Sequence, residues 1–378
     1  MQEALDLLEY CNHPGGTYLS DLRRSHGSEE PYDIRMWCLG NEMDGTWQLG
    51  HKTPYEYGRL AAEVARAMRR IDAGLELVAC GSSNAEMATF GKWEAVVLEE
   101  AYDQVDYISA HAYYELTGGD VASFLASPVN MDRFIDDVVA TCDYVRAKTS
   151  HTKRINISFD EWNVWYIERL FETNRPPFHL PHDWMTTPRV SEDAYTVADA
   201  VVVGGLLITL LRHSDRVTSA CQAQLVNCGS MIRTEPGGRA WRQAIFHPFA
   251  QAARYAKGMV LRVVPKAPVI DTAKHGEVLV LDAVATYDED TDELVVFAVN
   301  RHQSEAVELT VDARAFDGHR VLEHSVLADA DLEAANTEAQ PDRVRPRPVS
   351  GATVDGGRLT AMLPPVSWNV LRLEPLRD

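Results

Sequence analysis

Basic residues are scarce in this chain. Among 378 residues, 36 Lys and Arg stand against 56 Asp and Glu, a formal net charge of -20. Nucleic acid and anionic membrane surfaces both require clustered Lys and Arg, so neither is an expected partner and a neutral ligand fits better. Long apolar runs are missing as well. The most apolar segment, residues 198–211, is interrupted by Asp199 and Gly204-Gly205 and followed by Arg212-His213, so it reads as a buried helix and not as a membrane span. The opening M-Q-E-A-L-D-L-L-E-Y has no basic region followed by an apolar stretch and is not expected to act as a secretory signal. Paired cysteines are absent too: those at 11, 38, 80, 142, 221 and 228 show no C-x-x-C pair and no regular spacing. Cys38, Cys80 and Cys221 fall in expected buried strands, where a free thiol behaves as a small hydrophobe. Reduced thiols and a cytoplasmic compartment follow. No cluster of His, Cys and acids has metal-ligand spacing and no Gly-rich phosphate loop is present, so no metal and no cofactor is expected.

What is present is an alternation. Residues 2–10 have helical spacing and end at strong breakers, Asn12-His13-Pro14-Gly15-Gly16, with no strand before them. Strand then helix follows over 34–40 and 54–72, over 76–81 and 92–102, and over 105–111 and 131–148. A fourth strand is expected over 155–161, a proline-rich excursion of the kind used as lids or binding loops over 174–188, a helix over 190–211, a fifth strand over 216–225 and a helix over 241–255. Alternating strands and helices imply parallel strands joined by helical crossovers. Past Gly258 the runs become short, β-prone and separated by Asp, Gly and Pro, the pattern of a sandwich, with a long loop over 333–349. The expected domains are therefore 1–260 and 261–378. Five strands are three short of an eight-stranded barrel, and the unpartnered first helix favours a chain that begins partway through one over an open sheet.

Two of these strands end in carboxylates among aromatics. I-R-M-W-C-L-G-N-E-M-D-G-T-W delivers Glu42 between Trp37 and Trp47, and I-N-I-S-F-D-E-W-N-V-W-Y delivers Asp160 and Glu161 beside Trp162 and Trp165. Cleavage of a glycosidic bond requires one carboxylic acid to protonate the leaving oxygen and a second carboxylate to attack the anomeric carbon or activate water. Strand ends on one barrel rim converge, and flat aromatic rings stack on sugar C–H faces, so Glu42 and Glu161 form the candidate pair. His111 reads as a structural hydrogen-bonder, Asp160 as a residue that orients loop backbone, and His182 and His247 as ordinary histidines.

Five blocks in order, W-C-L-G-N-E-M-D-G, D-Y-I-S-A-H-A-Y-Y, F-D-E-W-N-V-W-Y, V-G-G-L-L-I-T-L-L-R-H-S-D-R-V and A-Q-L-V-N, resemble the family 51 glycoside hydrolases, the α-L-arabinofuranosidases. The resemblance runs over nearly the whole chain. It implies a (β/α)8 barrel, here strands four to eight, followed by an all-β, jelly-roll-like sandwich, and an exo-acting retaining enzyme on arabinofuranosyl carbohydrate. By similarity Glu42 is the acid/base and Glu161 the nucleophile. Asn41 matches a ligand of the sugar 2-hydroxyl, Tyr113 the tyrosine that supports the nucleophile, Trp165 a subsite wall and Gln224 a sugar hydroxyl ligand. The resemblance also implies a homo-oligomer, often a hexamer. Family members begin well upstream of Met1, which implies an N-terminally truncated chain without a stable active site of its own. The acid/base mechanism requires Glu42 to stay protonated near neutral pH, which repulsion from Glu161 and partial burial would favour. The alternatives are another retaining glycosidase of the same barrel clan, of endo-glucanase or xylanase type, and a catalytically silent carbohydrate-binding fragment.

Overall fold

The computed structural model describes residues 1–167 and 191–376. The excursion over 174–188 and His182 lie outside the described residues. In chain order the elements are α1 (Gln2–Asn12), α2 (Tyr18–Ser25), β1 (Met36–Cys38), α3 (Pro54–Ile71), β2 (Glu76–Ala79), α4 (Lys92–Ala101), β3 (Tyr107–Tyr114), α5 (Val121–Leu125), α6 (Pro128–Thr149) and β4 (Asn156–Val164). Then come α7 (Val197–Arg212), β5 (Val217–Gln222), the hairpin β6 (Ile232–Thr234) and β7 (Ala240–Arg242), and α8 (Phe246–Tyr255). Strands β1 to β5 form one sheet in sequential order, with β1, β2 and β3 paired in parallel, so the partial barrel expected from the alternation is present. The hairpin corrects the helix expected over 241–255. Trp241 extends a short strand and the helix starts at Phe246. A period of 3.6 and a turn-and-strand are hard to tell apart over so few residues.

The chain divides into two compact units, the first made of Met1–Ala112, Phe134–Glu161 and Arg216–Cys221, the second of Tyr113–Arg133, Trp162–Asp215 and Gln222–Asp378. In the first, α3 starts at a Thr53–Glu56 capping box with Pro54 as its first helical residue, which satisfies backbone donors that have no partner within the helix. Tyr57, Ala61, Ala65 and Met68 are buried on its inner face, whereas Leu60 and Ile71 are exposed. The small alanines and Gly58, where a Cβ would lie 3.1 Å from Val97 Cα, set a close approach to α4. Tyr57 stacks on Trp93 with ring centroids 5.6 Å apart. The Tyr57 hydroxyl donates to the Leu39 carbonyl at 3.2 Å and accepts from the Cys80 N–H at 2.7 Å, tying together the ends of β1 and β2. Cys80 is buried as expected, but Cys38 and Cys221 are exposed. They lie on β1 and β5, the edge strands of the sheet, where one flank has no neighbouring strand to cover the side chains. All six cysteines are free thiols.

The second unit contains the sandwich. One sheet has the order β15-β14-β18-β12-β11-β8 and faces a smaller sheet, β13-β17-β16. Here β8 is Met259–Leu261, β9 Val269–Thr272, β10 Gly276–Leu279, β11 Leu281–Asp288, β12 Glu293–Asn300, β13 Val307–Asp312 and β14 His319–Leu327. The remaining strands are β15 (Arg347–Pro348), β16 (Thr353–Asp355), β17 (Arg358–Leu363) and β18 (Ser367–Pro375). Alternation decides the layers. Leu294, Val296 and Ala298 of β12 join Leu371 and Leu373 of β18 and Leu359, Ala361 and Leu363 of β17 in the sandwich core. The intervening Phe297 and Trp368 are also buried and stack on each other at 5.6 Å. Helix α7 covers this second face, which explains why β12 reads as a continuous apolar run. A Cβ on Gly204 would meet the Trp368 ring at 2.4 Å, so the glycine pair in the apolar segment is a packing device within the helix. Gly204→Ala is expected to cost about 1–3 kcal/mol through overpacking, read as an earlier urea unfolding midpoint.

No helix among the described residues is long and apolar enough to cross a membrane.

Candidate active site

Glu42 follows β1 in a turn that few side chains adopt. Its φ is +46° and that of Gly40 is +133°, both in the left-handed half of backbone space. The turn is fixed from behind: the Ser83 N–H donates to both carboxylate oxygens of the buried Asp44, at 3.1 and 3.2 Å, and the Gly45 N–H donates to the Glu42 carbonyl at 2.9 Å. A non-glycine residue held this way by its surroundings is a mark of functional sites. The Trp47 indole N–H donates to Glu42 Oε2 at 2.8 Å. Trp37 turns elsewhere, its N–H donating to the Ile34 carbonyl.

Between Glu42 and Glu161 lies His111, nearly fully buried. Its Nδ1 is 3.1 Å from Glu42 Oε1 and 3.8 Å from Glu161 Oε2, and its Nε2 is 3.0 Å from Asp160 Oδ1. Each ring nitrogen faces a carboxyl group, and a doubly protonated ring donates to both. Burial works against the charge, but the hydrogen bonds to Asp160 and Glu42, with the charges of Glu161 and Asp160, push the histidine up to about 10. Glu42 responds in the opposite sense. Burial acts to raise its pKa, but hydrogen bonds from His111 and Trp47 outweigh it and hold the carboxyl below the ordinary carboxylate value. These directions run against the expectation of a protonated Glu42 and favour the proton on His111, which lies between the two glutamates. His111 is a hydrogen-bonder as expected, though of side chains at the site.

One nitrogen of His111 and one carboxylate oxygen from each of Glu42 and Glu161 lie within 4.8 Å of one another. The proton on His111 accounts for this convergence, and we assign no metal ion to it. Among the described residues Asp160 meets side chains and not the loop backbone it was expected to orient: its Oδ2 accepts from the Cys38 thiol at 3.3 Å and the Ser158 hydroxyl at 3.2 Å. Cys38 and Ser158 escaped the sequence reading because nothing in a strand pattern says which neighbour a small polar side chain will meet. Loss of water around the Cys38 sulfur, then the Asp160 charge, push that thiol up to about 12, so it is a donor.

Asn41 is exposed beside Glu42. Tyr113, Trp165 and Gln224 belong to the second unit. There the rings of Tyr113 and Trp165 meet edge-on at 4.9 Å, and the Trp165 N–H donates to Ser191 Oγ at 2.9 Å. Gln224 is exposed after β5, its backbone N–H donating to the Gly229 carbonyl at 3.0 Å. Trp162 is fully buried against Phe249 and is a packing residue.

Comparison with known proteins gives a consistent picture. Residues 160–367 match the α-L-arabinofuranosidase C-terminal domain and residues 1–123 the α-L-arabinofuranosidase 1 domain. An intracellular exo-α-(1→5)-L-arabinofuranosidase from Streptomyces lividans is 58% identical over 370 residues, which cover 98% of this chain and 55% of that protein. Its counterpart from Acetivibrio thermocellus is 50% identical over 99% of this chain and 74% of its own length. Among solved structures, a family 51 α-L-arabinofuranosidase from Bifidobacterium longum superposes with a TM-score of 0.92 at 43% identity, covering 99% of this chain and 73% of that one. The chain thus spans between about half and three-quarters of the length of these relatives.

Proposed function

The chain belongs to the family 51 α-L-arabinofuranosidases, and from that premise we propose that it is an exo-acting, retaining α-L-arabinofuranosidase. Its substrates are terminal non-reducing α-L-arabinofuranosyl residues of arabinose-containing oligo- or polysaccharides. The observation that carries this reading is the convergence of Glu42 and Glu161 on one side chain, with carboxylate oxygens no more than 4.8 Å apart. Retaining glycosidases hold their carboxyl groups about 5–5.5 Å apart, whereas inverting ones leave roughly 6.5–9.5 Å for a water.

In this mechanism Glu161 attacks the anomeric carbon while Glu42 delivers a proton to the departing oxygen. The proton comes from His111: as Nδ1 passes it to Glu42 Oε1, the ring becomes neutral and the leaving group departs as an alcohol. Water, deprotonated by Glu42, then releases arabinose from Glu161, and the proton returns to His111. Asn41, Tyr113, Trp165 and Gln224 are the proposed sugar ligands, on their similarity to family positions. The catalytic portion is assigned to 1–260 and the sandwich to 261–378. A cytoplasmic location and a homo-oligomer, a hexamer by family resemblance, complete the proposal.

Hydrolysis of aryl α-L-arabinofuranoside, followed by proton NMR, tests it. The expected first-formed product is α-L-arabinofuranose, with turnover well above that on aryl xyloside or β-glucan. An inverted first product, or preference for β-glucan, would refute the reading.

A further inference from the structure

We infer that Asp160 is a positioning residue for this chemistry: its Oδ1, on a carboxylate fixed through Oδ2, holds His111 between Glu42 and Glu161 and keeps there the proton that Glu42 delivers. This rests on the reading of Glu42 and Glu161 as the catalytic pair.

The argument begins with the strand. Asp160 and Glu161 are consecutive on β4, and regular alternation would send them to opposite faces. Both nevertheless lie near the same imidazole, at 3.0 and 3.8 Å. Asp160 reaches Nε2, the nitrogen remote from Glu42, so it leaves Nδ1 free to serve the acid/base. Its second oxygen is occupied by the Cys38 and Ser158 donors, at 3.3 and 3.2 Å, which fix the rotation of the carboxylate. Among the described residues no lysine or arginine forms an ion pair with Asp160, and the cation it faces is His111. The titratable groups that act on the ring are Glu42 from the turn after β1 and Asp160 and Glu161 from β4, with the Cys38 thiol of β1 reaching Asp160. Every one of them is acidic or a neutral thiol. Among the described residues the imidazolium is therefore the cation of this cluster, and removing one of its carboxylate partners weakens its hold on the proton.

The test is the pH profile of kcat/KM for Asp160→Asn, set beside its melting curve. The alkaline limb of the parent reports loss of the proton shared by His111 and Glu42. Without the Asp160 charge that limb is expected to move down by about 1 pH unit or more, with kcat reduced more than KM is raised. Nuclear magnetic resonance of 15N-labelled histidine supplies an activity-independent readout. The resonance absent from His111→Gln, expected to titrate near pH 10 in the parent, should titrate at lower pH in Asp160→Asn. A loss of activity with both the limb and the resonance unmoved would overturn the inference and leave Asp160 a structural residue.

Should Asp160→Asn fail to fold, Ser158→Ala removes one donor and leaves the charge. A carboxylate with fewer donors draws the His111 proton harder, so the limb is expected to stay or rise, and a fall would count against the inference. Failure of the underlying catalytic reading is distinguishable, since it would appear as full turnover in a variant that lacks the Glu161 carboxylate.

Discussion

Replacing Glu161 with glycine is expected to lower kcat on aryl arabinofuranoside by roughly 10⁴-fold or more, because it removes the proposed nucleophile of the covalent intermediate. Sodium azide should restore turnover. The small anion enters the space that the carboxylate vacates and attacks from that side of the sugar, so the product is arabinofuranosyl azide of inverted configuration. That stereochemistry is the decisive readout: an azide product of retained configuration would show that the nucleophile is still in place and that Glu161 has another role. Retention of parent-like turnover would remove it from the mechanism altogether. His111 gives this experiment a second use. It lies 3.8 Å from Glu161, so the glycine variant should also show a His111 that loses its proton at lower pH, one of its anionic neighbours being gone.

Glu42→Ala should behave differently in a way that depends on the leaving group. Where the departing oxygen needs a proton, as in arabino-oligosaccharide, kcat/KM should fall by roughly 10²–10⁴-fold. Where it does not, as in a dinitrophenyl arabinofuranoside, the first step should be nearly unimpaired, and the arabinosyl-enzyme should accumulate as a burst because no base activates the water. Azide then intercepts that intermediate from the open face and yields the retained azide, the mirror of the Glu161 result. A uniform loss across leaving groups would mean that the substitution had damaged the site's shape and that Glu42 is not the proton donor. Trp47, which donates to Glu42 Oε2 at 2.8 Å, loses its acceptor in this variant.

The chain announced the carboxylates but not what joins them. Glu42 and Glu161 were legible because each ends an apolar run beside tryptophans, a local pattern that survives without any knowledge of neighbours. Which tryptophan mattered was not legible: Trp47 reaches Glu42, Trp37 turns to a backbone carbonyl, and Trp162 is packed away. The proton on His111 was illegible for the same reason, since it follows from three carboxylates on two other segments meeting one ring. Convergence of the two strand ends and partial burial suggested that Glu161 would keep Glu42 protonated; the position of the imidazole reverses the sign. In the fold, the strand–helix alternation and the sandwich were readable from periodicity. In α3 alanines pack against α4 while Leu60 and Ile71 stay outside, since close packing favours small residues there. The hairpin β6–β7 was lost in an apparent helical period too short to discriminate.

The contact between Gly204 and Trp368 bears on how the protein is made. Helix α7 leaves the ribosome long before β18 does, so its glycine-bearing face waits uncovered while most of the sandwich is still being synthesised. Chains emerge at roughly 5–20 residues per second, which leaves that apolar helix exposed for roughly 8–30 seconds before β18 is made. Its neighbour β12 is buried on both faces and is equally incomplete until β18 pairs with it. The face of α7 that meets Trp368 is therefore covered only after β18 has been made.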